Sequence, residues 1–151
     1  MTNRYVVVGD SQAEGLLLPN AMPALLGDRL VRGLDHRGWS SARLLSDGAI
    51  NTAAGIAAAN DATLLIFSGG NDNDVLASTE AFNRYKDTLL DIVRTLARKS
   101  AATGQPLKVV WFGPVYALEP ANARQHPATA RAMSTVLRSS EAQRVAKEGG
   151  S

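Results

Sequence analysis

Val6-Val7-Val8 runs without a polar residue straight into Gly9-Asp10-Ser11. Three successive β-branched residues leave no face for water, the pattern of a strand buried on both sides in a parallel sheet. The Gly-Asp-Ser that follows is a turn signal. Parallel strands cannot be joined by a hairpin; each pair needs a crossover of a dozen or more residues, usually a helix. A first strand of this kind therefore commits the rest of the chain to alternate helix and strand.

The rest of the 151-residue sequence reads that way. Strand 4–8 is followed by a loop over 17–22 and a helix over 23–34, with Leu25, Leu26, Leu30 and Leu34 forming a stripe at helical spacing. A second strand is expected over 41–45, closed by Ser46-Asp47-Gly48, and an Ala-rich helix over 51–60. The third strand is 62–67, followed by Ser68-Gly69-Gly70-Asn71-Asp72-Asn73-Asp74. Residues 79–100 make the clearest helix, with Phe82, Leu89, Leu90, Val93 and Leu96 on one face. The fourth strand is 107–112, ended by Gly113-Pro114-Val115, and the last helix is 129–147. This β-α-β-α-β-α-β-α order predicts one α/β domain, a parallel sheet with helices on both faces. All strand ends then share one edge, where such sheets bind ligands. The four turns GDS, SDG, GGND and GPV are expected to converge there.

Composition narrows the function. Net charge is only +2 and the arginines are scattered, so no nucleic-acid surface is expected. There is no cysteine, hence no thiolate nucleophile and no Cys-based metal site. No apolar run approaches the ~20 residues of a membrane helix. The start MTNRYVVVGD does not read as a signal peptide, leaving a cytoplasmic location or membership of a larger particle as the expectation. No metal or organic cofactor is implied.

Ser11 has two readings. It can cap the following helix, as serine commonly does. Or its hydroxyl is a nucleophile at the sheet edge, beside helix N–H groups that lack intrahelical partners. Asn71 has an amide able to donate to an oxyanion; otherwise Gly70-Asn71 is simply a turn. Asp72-Asn73-Asp74 does not meet the spacing of a calcium loop. Gly48 offers an N–H with no side chain in the way, or is only a turn glycine.

Together these residues resemble the SGNH hydrolases, the GDSL-type esterases. Gly9-Asp10-Ser11 looks like the first block of that family, Gly69-Gly70-Asn71-Asp72 like its third, and Trp111-Phe112-Gly113-Pro114 like the Gly-Pro that ends its fourth strand. The resemblance covers about residues 5–114. It implies a three-layer α/β/α flavodoxin-like fold, with Ser11 as nucleophile and the Ser11 N–H, the Gly48 N–H and the Asn71 side chain as oxyanion hole. It further implies hydrolysis of a small-molecule or glycan ester, acetylated sugars included, through an acyl-serine.

The family's closing D-x-x-H block has no counterpart. No aspartate follows Asp91, and the one downstream histidine, His126, has Ala123 three positions before it and precedes the last helix. The base role is therefore not carried over to His126, which reads as a loop or helix-start histidine next to Pro127. His36 is expected near a helix end at the opposite edge of the sheet. Without a base, little activity beyond that of the oxyanion hole is expected. The fifth strand of the family is also lacking. Three expectations follow: an incomplete domain, a sheet completed by a partner chain or a second copy, or a catalytically impaired binding or assembly protein such as a virion component.

Overall fold

The computed structural model describes residues 3–72, 74–114 and 125–149. Asn73, Val115, Ala123 and the terminal Gly150-Ser151 lie outside the described residues. Four parallel strands, β1 (Tyr5–Gly9), β2 (Leu30–Asp35), β3 (Thr63–Phe67) and β4 (Val109–Phe112), form one sheet in the order β2-β1-β3-β4. The helices between them are α1 (Ser11–Leu16), α2 (Met22–Leu26), α3 (Ser41–Ser46), α4 (Ala49–Ala59) and α5 (Thr79–Thr103), with α6 (Gln125–Leu137) and α7 (Ser140–Gly149) after β4. This is the expected α/β architecture, a four-stranded parallel sheet flanked by helices with the flavodoxin-like order.

The valine run explains the centre. Successive side chains of a strand point to opposite faces. Val6 and Val8 join Leu64 and Ile66 under α3, α4 and α5, in a core with Leu44, Ile50, Ala53, Ala54 and Ile92. Val7 faces the other way with Leu65 and Phe67, covered by Ala13 of α1 and by Leu16, Leu17 and Met22. All three valines are fully buried. Such a side chain stabilises by about 1.5–3 kcal/mol relative to exposure. A third cluster joins Tyr85, Leu89 and Leu90 of α5 to Met133 and Val136 of α6 and to Val145 of α7.

The second strand is displaced from its expected place. Residues 30–35, read as the end of a leucine-striped helix, form β2 and pair with β1 from Tyr5↔Leu30 to Gly9↔Asp35. Gly27, at φ +52, ends α2, and a 3-10 turn (Gly27–Arg29) leads into the strand. Gly33 is what admits this packing: a Cβ there would sit 2.6 Å from Leu17 Cδ1. Residues 41–45, expected as the strand, instead fall in α3 (Ser41–Ser46). The Ser40 hydroxyl accepts from the Arg43 N–H at 3.2 Å, and Ala42, Arg43, Leu44 and Leu45 are strong helix formers. The expected last helix is two helices. The Ser139 hydroxyl accepts from the Ala142 N–H at 3.1 Å and donates to Val136 O at 2.6 Å, ending one helix and starting the next.

Candidate functional site

The carboxyl ends of the strands form the rim. At the first, Asp10 settles which residue caps α1. Its side chain is fully buried; Oδ1 accepts from the Gln12 N–H at 2.9 Å, and Oδ2 from the Gly70 N–H at 3.1 Å. Asp10 is the cap, so Ser11 is the first helical residue and its side chain is exposed. The capping explanation of Ser11 thereby falls away. The Asp10 carboxylate also ties the Gly9-Asp10-Ser11 turn to the Gly69-Gly70-Asn71 turn, 60 residues further on. Burial raises the Asp10 pKa above its ordinary value, against the pull of the Gln12 and Gly70 N–H donors.

The glycines of the third turn have steric reasons. Gly69 lies at φ +104, and a Cβ there would come within 2.7 Å of Pro114 Cδ. A Cβ on Gly70 would lie 3.1 Å from Asp10 Oδ2 and 3.6 Å from Gln12 Nε2, so Gly70 sits against both neighbours of Ser11. Asn71 is held by its amide, which donates to Trp39 O at 3.1 Å. That bond uses one of the two N–H donors of the amide.

The second turn is not the one the sequence suggested. With β2 at 30–35, the segment at its carboxyl end is His36-Arg37-Gly38-Trp39. The His36 N–H donates to Gly9 O at 2.8 Å, so His36 lies on the rim and not at the opposite edge. Its ring stacks on Trp39 at 3.9 Å between centroids, and the Arg43 guanidinium lies 4.4 Å from the Trp39 ring centre. Gly38, at φ +78, is the glycine that follows the second strand. Gly48 instead precedes α4, at φ +83, and its N–H donates to Leu45 O at 3.1 Å. It lies at the far end of α3 with its donor engaged, and the structure does not bring it to Ser11 and Asn71. Gly38 was hidden because the strand before it was read as helix.

Asp72 forms a second buried node. It accepts from the Ser41 N–H at 2.8 Å and, more tightly, from the Ser41 hydroxyl, fixing the start of α3 to the rim. Its own backbone carbonyl accepts from Thr129 Oγ1 of α6 at 3.1 Å. Burial raises the Asp72 pKa, opposed by Ser41 and reinforced by the negative charge of Asp10. The nearby Tyr85 hydroxyl is buried without a hydrogen-bond partner among the described residues. Burial, then the Asp72 charge, pushes its ionisation far up. Tyr85 is therefore a neutral core residue.

His126, in the first turn of α6, is also on the rim. Its Nε2 lies 3.1 Å from Gly70 O. Sequence order alone could not bring it there, since a chain of 56 residues separates the two. A groove of ≈ 660 Å³ lies elsewhere. It is lined by residues such as Leu96, Leu107, Val109 and Trp111, opens at the loop before β4, and has no titratable lining group. Among the described residues no cluster of His, Asp or Glu has the number and arrangement to hold a metal ion, and no helix is long and apolar enough to cross a membrane.

The fold and the rim together define the class: an α/β protein whose polar strand-end turns converge on one edge. No protein-family model, curated protein or solved structure matches the chain.

Proposed function

We propose that the rim is the site of a serine hydrolase acting on carboxylic esters, with acetylated carbohydrate as the favoured substrate class. Ser11 Oγ attacks the ester carbonyl carbon, the alcohol leaves with a proton, and water then releases the acid from acyl-Ser11. The observation that carries this reading is the Asp10–Gly70 bond at 3.1 Å, which joins the turn bearing Ser11 to the turn bearing Asn71. Exposure of Ser11, with Asp10 doing the capping, supports it. In the oxyanion hole, the Ser11 N–H and the Asn71 amide take the roles the family resemblance gives them. Gly38 replaces Gly48 as third donor, because Gly38 follows the second strand and Asn71 is bonded to its neighbour Trp39.

The test is labelling by a fluorophosphonate serine probe, read by intact mass, on the full chain and on Ser11→Ala. One adduct on the wild type and none on Ser11→Ala is the expected result. A folded wild type that takes no label overturns the hydrolase reading. Asn71→Ala is expected to lower p-nitrophenyl acetate hydrolysis by about 10²–10³-fold, the usual loss for one oxyanion donor.

A second reading, a binding or assembly module, is favoured by one observation. Val110 and Phe112 of the edge strand β4 are 45% and 41% exposed, unusual for apolar strand residues beside a packed core. A folded protein that fails to label supports this reading over the first.

A further inference from the structure

We propose that the open edge of β4 is a docking site for an extended segment of a partner protein, apolar at its centre and acidic at both ends, which adds to the sheet as a further strand. Docking there rests on the binding-module reading and gives it a partner of stated chemistry. It does not involve Ser11.

The backbone of β4 is open on one side. It ends the sheet and pairs with β3 alone. Lys108 O and Phe112 O accept from the Leu64 and Ser68 N–H groups at 2.8 and 3.3 Å. In a parallel pair every second residue turns its N–H and C=O to the neighbour. The even-numbered residues therefore face β3, and Val109 and Trp111 present theirs outward, where no described strand lies. Val109–Phe112 contains no charge, proline or bulge that would blunt this edge. Both faces beside it have room for apolar side chains. On the α5 side, the ≈ 660 Å³ groove is lined by Val109 and Trp111, and a second of ≈ 290 Å³ reaches Gly113; the two share Trp111 and Leu137. Leu107 to Gly113 is roughly 20 Å of extended chain at about 3.3 Å per residue. On the opposite face, Phe112 stacks on Phe67 at 4.6 Å between centroids and still remains exposed, as does Val110. A small apolar molecule in the groove would leave Val110 and Phe112 in water. A strand alternates its side chains between the faces and covers both.

Charge decides what kind of strand fits. Lys108 immediately precedes β4, and Arg138 lines the smaller groove beside Gly113. Both are exposed, and neither forms an ion pair among the described residues. No acidic residue lines either groove. A second copy of β4 would bring the same cations and no carboxylate to meet them. A segment with glutamate or aspartate at its ends meets opposite charge at both, which steers its encounter and fixes its register.

The experiment is fluorescence anisotropy of the full chain with a synthetic probe, a short fluorescein-labelled peptide of valine, threonine and isoleucine with two glutamates at each end. Saturable binding is expected, weakened about tenfold or more when the central backbone N–H groups of the probe are methylated, because the bonds to Val109 and Trp111 are then lost. The double variant Lys108→Glu, Arg138→Glu, checked for fold by circular dichroism, is expected to bind the probe about tenfold more weakly, the size of two exposed ion pairs, and to prefer a lysine-ended probe. A wild type without saturable binding overturns the docking site. Equal binding of the methylated probe overturns strand addition. An unchanged preference for acidic ends in the folded double variant overturns the charge assignment. Sedimentation of the wild type as a dimer that the probe does not dissociate gives the edge to a second copy and overturns the partner segment. None of these readouts involves Ser11, so each stands apart from the fluorophosphonate result.

Discussion

Of the described glycines, Gly9 is the most closely packed. A Cβ there would lie 2.2 Å from Phe67 O and 2.9 Å from Phe67 Cβ. The first of these is backbone and cannot rotate away. The same spot carries the Asp10 N–H bond to Phe67 O and the His36 N–H bond to Gly9 O, which hold three strand ends together. Gly9→Ala is therefore expected to cost about 3 kcal/mol, the upper range for overpacking, with a matching fall in the urea midpoint. An unchanged midpoint would show that β1 and β3 do not approach this closely. Ser11 and Asn71 were legible as site candidates because Gly-Asp-Ser and Gly-Gly-Asn-Asp each interrupt an apolar run; the capping and tying role of Asp10 was not. The Asp72–Ser41 pair was not. Its partners are 31 residues apart, on elements whose adjacency follows only from strand order.

At the scale of elements, β1, β3, β4 and α5 were readable because a valine- or leucine-rich run admits few alternatives and α5 is long and amphipathic. Its ends carry ordinary signals, a Ser78 cap and Gly104 at φ +70. β2 was not readable. Leu26, Leu30 and Leu34 fall at helical spacing, yet Gly33 in their midst lowers helix propensity and leaves room for Leu17. Pairing with β1 decides the conformation, a tertiary effect that overrides the local pattern. Gly33→Val is therefore expected to destabilise by about 1–3 kcal/mol although valine favours strands, because its side chain meets Leu17. An increase in thermal stability would show that helical residual structure, not packing, limits this segment. The α6–α7 break depends on Ser139, and Ser139→Ala should cost about 1 kcal/mol, the usual worth of a cap. A loss below a few tenths in urea unfolding would assign the break to α5 packing alone.

Across the whole molecule, the rim order could be expected once a parallel sheet was inferred, but the charges that tie it together could not. Asp10 and Asp72 connect β1, α1, α3 and the turn after β3, and the backbone of Asp72 adds α6. Both carboxyls have pKa values above 3.8, with burial the first cause in each. The folded state therefore binds protons more readily than the unfolded chain does. Their contribution to stability is complete below 3.8 and is lost as pH rises through the raised values. Where these carboxyls are ionised, desolvation works against the fold while their hydrogen bonds hold it. Lowering the pH from 7 towards 4 should let these two groups add to stability, against the usual acid weakening of a salt-bridged carboxylate. Urea unfolding of the wild type and of Asp72→Asn at matched pH values measures this. The variant cannot titrate at position 72, so its stability should gain less on acidification than that of the wild type. Parallel curves for the two proteins would mean that Asp72 has the same proton affinity folded and unfolded. The pairing with Ser41 would then fully offset burial, and the rim would be held together without an electrostatic cost at neutral pH.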